Sequence, residues 1–371
     1  MNKIKLHDLK RISDYMRKDL DRAYMQIMDE GNYLRGSSID NLEQAWADYS
    51  GAEDCCTITS GSDALHTAAQ IIGIKPGDEI VCCSHSYIAT VEGFIHEGAK
   101  VRWVDSKLAD YCIDEEKIET QITPNTKAIV WTDINGQSPD IDKIVKIAKK
   151  HNLWTIKDAA PSAGGLYKGK KIGHRDHNID ITCFSFGPVK NFGAIGGAGA
   201  ITGSHAICDE ARQLKNHGRD KNYTRYDHTR AGWNRNMHTI QAGFLLAKLP
   251  YLDELNKRKR EHALIYNEKL SNLVKHVPEE QPHQYHTYHL YSVLVEDRPG
   301  LTKFLQDHGI EALSHWPKGL HEYQHTTDSN IDLPITQTIT SQTLSLPCSP
   351  FLTKQEQSYV IDHVHMFADK N

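Results

Sequence analysis

Lys190 is the residue whose type and setting best suit nucleophilic chemistry. It lies in the small-residue, turn-rich and largely apolar stretch DITCFSFGPVKNFGAIGGAGAI (180–201). Lysine is almost never fully buried without a partner, and removal from water lowers the pKa of its amine, as a covalent reaction with a carbonyl group requires. The pattern equally allows a loop lysine that reaches solvent. Ser185, shortly before it, carries a hydroxyl suited to a phosphate or to a neighbouring backbone group.

Asp158 is the second candidate, at the end of the apolar run LWTIKDAA. A carboxylate that leaves a buried strand often caps a helix or fixes a loop. It is also where a cationic ring nitrogen could be paired, since a buried charge needs an opposite one.

The segment SGSDAL (60–65) has the order of a strand, a small-residue turn and a helix start. Gly61 would let the backbone approach a ligand closely, and a helix N-terminus offers unpaired N–H groups to a phosphate. Ser62 as a plain helix cap is the alternative. The glycine-rich stretch 193–199 lacks the G-x-G-x-x-G spacing of a dinucleotide loop and precedes a strand, which favours close backbone packing.

Seven short apolar runs predict the strands that position these groups. They are CCTI (55–58), EIVCC (79–83), KVRWVD (100–105), KAIVW (127–131), LWTIK (153–157), DITCFSF (180–186) and GAIT (199–202). Helical patterns between them follow Asp63, Ser86, Asp140 and Ile207. This alternation predicts an α/β fold with a largely parallel sheet, whose ligands lie beyond the carboxyl ends of the strands.

The chain of 371 residues is long enough for two domains. We predict a large domain at 1–250 and a small α+β domain at 251–371. In the small domain a long helix is expected near 253–273, a strand at 286–295, and helices at 299–309 and 354–367.

Composition excludes several classes of protein. A net charge of −5 makes nucleic acid an unexpected partner, and a mean hydropathy of −0.56 with no apolar run of about 20 residues argues against a membrane span. The N-terminus has no apolar signal region, so a cytoplasmic location is expected. The eight cysteines are expected as reduced, buried thiols. The 22 histidines show no metal-ligand spacing, so no metal is expected, and those at 283–289 are expected on the surface or on a strand face.

Taken in order, these segments resemble the nucleotide-sugar aminotransferases of the DegT/StrS type, and the resemblance covers nearly the whole chain. It is carried by GNYLRGSSIDNLEQAWADYSGAED (31–54), SGSDALHTAAQIIGIKPGDEIVCCSHSYIAT (60–90), TPNTKAIVWTDINGQSPD (123–140), KDAAPSAGGLYKGKKIG (157–173), FSFGPVKNFGAIGGAGAI (184–201), the segments within 216–254, SHWPKGLH (314–321) and SLPCSPFL (345–352). The resemblance implies an aspartate-aminotransferase-type fold with a mostly parallel large-domain sheet and a small C-terminal domain.

The resemblance also implies a cofactor, pyridoxal 5′-phosphate (PLP), which cycles with its amine form (PMP). Lys190 would bind it covalently and later shuttle a proton, while Asp158 would pair with its ring nitrogen. The backbone at Gly61 and Ser62, with the Ser185 hydroxyl, would hold the phosphate. Two further cofactor contacts would be the stacking aromatic ring of Tyr87 and the side chain of Asn234, which would reach the phosphate of the neighbouring subunit in a homodimer.

The implied reaction moves an amino group, with L-glutamate as the expected donor, to a keto group of a nucleotide-linked sugar. Substrate contacts are expected by position at Tyr33, Pro161, Arg219, His315 and Trp316. Packing within the chain or at a subunit interface is the alternative for each of them.

Three positions depart from the family pattern. Pro161 stands where Gln or His is usual, Gly197 stands where the family has an aspartate, and Asn236 replaces a frequent arginine. These departures leave open a non-catalytic relative that binds cofactor or sugar nucleotide. A sugar dehydratase, whose members carry His in place of the lysine, and an aminocyclitol aminotransferase are the alternatives within the family.

Overall fold

The computed structural model describes residues 3–34, 36–219, 226–326 and 331–369, so residues 220–223 of the NHGRDKNY segment lie outside the described part. The helices are α1 (Leu9–Tyr15), α2 (Arg17–Glu30), α3 (Ser37–Ser50), α4 (Gly61–Ile71), α5 (Ala89–His96), α6 (Ile141–His151), α7 (His205–Leu214), α8 (Thr239–Lys248), α9 (Leu252–Leu270), α10 (Arg298–Asp307), α11 (Pro334–Gln342) and α12 (Lys354–Ala368). The strands are β1 (Asp54–Ile58), β2 (Glu79–Cys83), β3 (Lys100–Val104), β4 (Thr126–Thr132), β5 (Trp154–Asp158), β6 (Leu166–Tyr167), β7 (Lys170–Lys171), β8 (Ile181–Ser185), β9 (Gly199–Gly203), β10 (Gln284–Tyr285), β11 (Tyr291–Leu294) and β12 (Thr343–Leu346).

The central sheet has seven strands in the order β1-β9-β8-β5-β4-β2-β3. Neighbours from β8 to β3 are parallel, and β9 runs antiparallel to both β1 and β8. The predicted parallel α/β sheet is therefore confirmed, with β9 as its one reversed strand. Each of the seven apolar runs forms one of these strands, because strands covered by helices on both faces are apolar along their whole length.

Helices cover the sheet with small and aliphatic side chains. Ala64, Ala68 and Phe94 of α4 and α5 pack on one apolar cluster, whereas Trp46 of α3 and Leu245 of α8 belong to another. The helices predicted after Asp63, Ser86, Asp140 and Ile207 are all present, and they begin at Gly61, Ala89, Ile141 and His205. The helices α4, α5 and α6 begin beyond the carboxyl ends of the parallel strands, at one edge of the sheet, whereas α7 follows the reversed strand β9.

The C-terminal part is built around the antiparallel pair β11 and β12. The apolar cluster of this part takes side chains from α9, α10 and α12, and it also contains Ile4, whose N–H donates to the Gly309 carbonyl at 2.8 Å. The N-terminal segment is thus fixed to the C-terminal part. The boundary at residue 250 stays a prediction.

The strand predicted at 286–295 is wrong in its first half. Only Tyr291–Leu294 forms a strand. Tyr288 has a φ of +45°, and its N–H donates to Nδ1 of His286 at 2.9 Å. This side-chain-to-backbone bond makes a turn, since left-handed backbone cannot continue a strand.

All eight cysteines are buried free thiols, as predicted. Among the helices of the described residues, none is both long enough and apolar enough to cross a bilayer.

Candidate active site

The carboxyl ends of β1, β4, β5 and β8 meet at one edge of the sheet and bring most of the candidate residues there. β5 ends at Asp158, β8 ends at Ser185, and β1 leads through Thr59 into the start of α4. The parallel order explains this grouping, because every such strand delivers its last residue to the same edge.

Gly61 and Ser185 form the tightest contact at this edge. A Cβ atom built on Gly61 would lie 2.6 Å from the Ser185 Cβ and 3.1 Å from its Oγ. Because real Cβ atoms do not approach so closely, glycine is required at position 61. The Ser185 hydroxyl is thereby held against the first turn of α4.

The first turn of α4 contains backbone N–H groups that have no acceptor among the described residues. The Ser60 hydroxyl caps the helix by accepting from the Asp63 N–H at 3.0 Å. No described residue accepts from the N–H groups of Gly61 and Ser62. These two donors, the positive end of the helix dipole and the adjacent Ser185 hydroxyl suit a phosphate group.

The glycine-rich stretch closes this corner by backbone contact, as predicted. A Cβ at Gly199 would lie 2.7 Å from the Ser60 carbonyl oxygen, and one at Gly197 would lie 2.8 Å from the Thr59 carbonyl oxygen. The departure at Gly197 therefore has a structural reason, since a side chain there would meet the backbone that leads into α4.

Asp158 is 4% exposed and accepts hydrogen bonds on both carboxylate oxygens. Oδ1 accepts from the Ala160 N–H at 3.1 Å and Oδ2 accepts from the Thr90 hydroxyl at 2.7 Å. Burial raises the pKa of Asp158, whereas these bonds and the charge of Lys190 act to lower it. The site thus holds a largely desolvated acid that is stabilised as a carboxylate chiefly by neutral donors.

Lys190 is partly buried in the turn that follows β8. Burial lowers the pKa of its amine, and the opposing effect comes from Asp158. Asn191 fixes the turn, because its Nδ2 donates to the Asn256 side chain at 2.7 Å and to the Thr287 carbonyl at 2.9 Å. The lowered pKa of the amine suits covalent reaction with a carbonyl group, and the role of Lys190 stays a prediction.

The aromatic candidates lie together at the outer side of the site. The ring of Tyr87, 54% exposed, is 6.2 Å from that of Trp316. His315 donates to or accepts from the Ser345 hydroxyl at 2.9 Å. Burial first and Lys190 second lower the pKa of His315 to about 4, which places its imidazole near the lysine.

Pro161 is buried, and its carbonyl accepts from the Thr287 hydroxyl at 3.0 Å. The proline thus joins the loop after β5 to the segment that precedes β11. No polar side chain takes part in this contact from position 161.

Three candidates, Arg219, Tyr33 and Asn234, have contacts with other parts of the chain. Arg219 lines a separate cleft of about 550 Å³ together with Asn236. The Tyr33 ring is 52% exposed, and its carbonyl accepts from the Thr239 N–H at 2.9 Å. Asn234 is exposed and its Oδ1 accepts from Asn236 at 3.3 Å. Whether these residues serve the site stays a prediction.

Several residues that the sequence did not indicate as site residues lie near Lys190. His289, expected on the surface or on a strand face, is 5% exposed and stacks on His7 with ring centroids 5.7 Å apart. Lys259 donates to the His289 carbonyl at 3.0 Å. Their separation in sequence hides the cluster, because nothing in the local pattern at His7 indicates contact with a turn near residue 190.

The comparison with protein families decides the assignment. The DegT/DnrJ/EryC1/StrS aminotransferase family matches residues 14–365. The chain belongs to this family. Aminotransferases of the DegT family depend on pyridoxal phosphate, and so does this one.

Individual relatives agree with the family. The chain is 34% identical over 362 residues to the dTDP-3-amino-3,6-dideoxy-alpha-D-galactopyranose transaminase of Aneurinibacillus thermoaerophilus, with 97% of this chain and 98% of the relative covered. The S. venezuelae DesV structure superposes with a TM-score of 0.94 at 31% identity, covering 100% of this chain and 99% of DesV. NtdA of Bacillus subtilis, solved with bound cofactor PMP, gives a TM-score of 0.91 at 26% identity, covering 100% and 86%. The predicted fold class is confirmed.

The residues of this DegT-family site fit the cofactor. The free N–H groups of α4 and the Ser185 hydroxyl match a phosphate, the buried carboxylate of Asp158 matches a cationic ring nitrogen, and the amine of Lys190 matches a carbonyl group.

The contact between Gly61 and Ser185 yields a first prediction. In the Gly61→Ala variant the new methyl group must push the helix start away from Ser185, and overpacking of this kind costs about 1–3 kcal/mol. We expect the Kd for pyridoxal phosphate to rise about tenfold or more, measured by titration of the apoprotein.

Ser62→Ala is the matched control, because it keeps both backbone N–H groups and should change the Kd by less than about twofold. Equal affinities of Gly61→Ala and the wild type would show that the first turn of α4 does not hold the phosphate.

Proposed function

We propose that this protein transfers an amino group from L-glutamate to a keto group of a nucleotide-linked sugar. The observation that carries the proposal is that Lys190, whose pKa burial lowers, and the buried carboxylate of Asp158 influence each other electrostatically at one sheet edge. The name of the relative from Aneurinibacillus thermoaerophilus supports a nucleotide-linked sugar as acceptor.

Pyridoxal phosphate, when bound, supplies an electron sink conjugated to the amine that is transferred. The chain's own residues do the rest. Gly61, Ser62 and Ser185 would bind the phosphate through two N–H groups and a hydroxyl, and Tyr87 would cover one face of the ring. A carboxylate oxygen of Asp158 would accept a hydrogen bond from the protonated ring nitrogen, a charged pair that a buried carboxylate favours.

Lys190 has two tasks in this proposal. Its Nζ would hold the cofactor covalently in the resting enzyme. Freed by an amino substrate, the same amine would accept the proton that leaves the α-carbon of the donor and would carry it during the transfer. Burial lowers the pKa of Lys190, so a larger share of the amine is neutral near pH 7 and able to accept that proton.

We further propose that the enzyme is a homodimer with shared sites, in which Asn234 reaches the phosphate of the neighbouring subunit. Large apolar side chains are exposed on the segments that carry site residues, which suits cover by a second copy. These are Tyr33, Leu34, Tyr87, Val189, Ile195 and Trp233.

Lys190→Ala tests the first part of the proposal. We expect loss of transamination by about a thousandfold or more, because the proton transfer loses its base. In the wild type, L-glutamate should bleach the visible band of bound pyridoxal phosphate to that of the amine form. The amino sugar made from dTDP- or UDP-linked keto sugars is then identified by mass spectrometry.

Lys168→Ala is the control, since Lys168 is an exposed lysine paired with Asp142. Full turnover by Lys190→Ala would overturn the assignment. A wild-type band that L-glutamate leaves unchanged would reject this donor.

Mixed dimers test the shared site. Lys190→Ala and Asn234→Ala should each be impaired alone, whereas a dimer with one copy of each variant has one intact site. Random association of equal amounts should restore about a quarter of wild-type activity if each site uses both subunits. No recovery above the two separate variants would show that Asn234 serves its own subunit or no site at all.

A further inference from the structure

Three buried hydroxyls form a closed group behind Asp158. The Thr90 Oγ1 lies 2.7 Å from Asp158 Oδ2 and 2.8 Å from the Ser86 Oγ. The Thr132 Oγ1 lies 2.8 Å from Ser86, 3.1 Å from Thr90 and 3.5 Å from Asp158 Oδ2. Ser86, Thr90 and Thr132 are 1%, 0% and 4% exposed, so water does not compete for these bonds.

The group comes from three separate elements. Thr90 lies in the first turn of α5, Thr132 is the last residue of β4, and Ser86 precedes Tyr87 in the loop after β2. The hydroxyls therefore connect Asp158 with the segment that carries the proposed stacking ring.

When Asp158 is ionised, the hydrogen atoms of these three hydroxyls can all be directed towards its carboxylate. Each hydroxyl has one proton to donate. Thr90 donates to Oδ2 of Asp158, so its oxygen can accept from Ser86, and Ser86 can accept from Thr132, whose hydroxyl also lies within 3.5 Å of the same Oδ2. All three protons then point towards the carboxylate, and such a chain strengthens its last bond. A proton on Oδ2 would need an acceptor and would force Thr90 to reverse.

We propose that Thr90, supported by Ser86 and Thr132, is a positioning residue that keeps Asp158 ionised and oriented for the cationic ring nitrogen of the cofactor. The inference rests on the proposed role of Asp158 in the function given above, and it adds the residues that make this role possible in a buried site.

Charged and titratable groups alone would not secure the carboxylate. Burial raises the pKa of Asp158, and Asp133, the residue after β4, acts in the same direction. The thiols of Cys82 and Cys183 also face it, and burial and the Asp158 charge keep both of them protonated, with pKa values well above the usual one. The charge of Lys190 lowers the pKa of Asp158, but it would no longer be free to do so once Lys190 had bound the cofactor.

Neutral hydroxyls have an advantage over a permanent cation here. An arginine or lysine in contact with Asp158 would satisfy its charge and remove the need for a cationic ring. The Thr90 hydroxyl and the Ala160 N–H stabilise the carboxylate without neutralising its charge. The carboxylate oxygens can still accept a hydrogen bond from one further donor. The ring nitrogen is then the partner that completes the pair.

Thr90→Val tests the proposal, because valine keeps the shape and removes the hydroxyl. We expect the Kd of the apoprotein for pyridoxal phosphate to rise about tenfold, the effect of losing a hydrogen bond to a charged group. The pH below which cofactor affinity falls should also rise, since the carboxylate is lost on acidification and its pKa is now higher. Both are read from the absorbance of the bound cofactor.

Thr90→Ser restores the hydroxyl and should return the Kd and the pH profile to near wild type. Thr132→Val should shift both in the same direction by a smaller amount. Thr336→Val is the control for loss of a buried threonine hydroxyl elsewhere, since Thr336 contacts Ser106 and should leave cofactor binding unchanged.

Wild-type affinity and pH profile in Thr90→Val would overturn the proposal. The proposal also fails if Thr90→Ser is as impaired as Thr90→Val, because packing alone would then explain the loss. Asp158→Asn distinguishes failure of the proposed function from failure of this inference. If this variant binds the cofactor like the wild type, the proposed pair between Asp158 and the ring nitrogen fails. If Asp158→Asn is impaired and Thr90→Val is not, only the role of the hydroxyls fails.

Discussion

The burial of the Asp158 carboxyl group, opposed by the hydrogen bonds it accepts, is the constraint on which the proposed site depends. Asp158 ends a central parallel strand, where water is excluded and burial favours its neutral form. Hydrogen bonds from Thr90 and the Ala160 N–H oppose that tendency without neutralising the charge. In the proposed function, the cationic ring nitrogen of the cofactor is the partner of this carboxylate.

The parallel sheet brings Lys190, Ser185 and the start of α4 to the same edge as Asp158. Because β5 and β8 end at the same edge, the turn that carries Lys190 lies near Asp158, and Ser185 lies against the start of α4. Glycine at position 61 allows that contact, and Gly197 and Gly199 allow the backbone before α4 to close over it. The turns at this edge therefore carry the groups that we propose for the phosphate, the ring nitrogen and the carbonyl carbon of the cofactor.

The sequence predicted the elements well where local pattern determines them. The run EIVCC (79–83) is β2 to the residue, and the glycine-rich stretch does pack by backbone contact. The strand expected from residue 286 begins at Tyr291, because a side-chain bond from His286 makes a turn that apolar alternation does not reveal. The sequence did not predict the three hydroxyls of Ser86, Thr90 and Thr132 near Asp158, or the stacking of His7 on His289. These contacts join residues far apart in the chain, and no local sequence pattern indicates them.

The protonation state of the cofactor's ring nitrogen tests the central claim most directly. Pyridoxal phosphate labelled with ¹⁵N in its ring, bound to the wild-type protein, reports that state through its nitrogen chemical shift. The account predicts the shift of a protonated, hydrogen-bonded nitrogen over the neutral pH range, and loss of that state in Asp158→Asn. The shift of an unprotonated nitrogen in the wild type would contradict the pairing with Asp158 and, with it, the explanation given for the buried carboxylate.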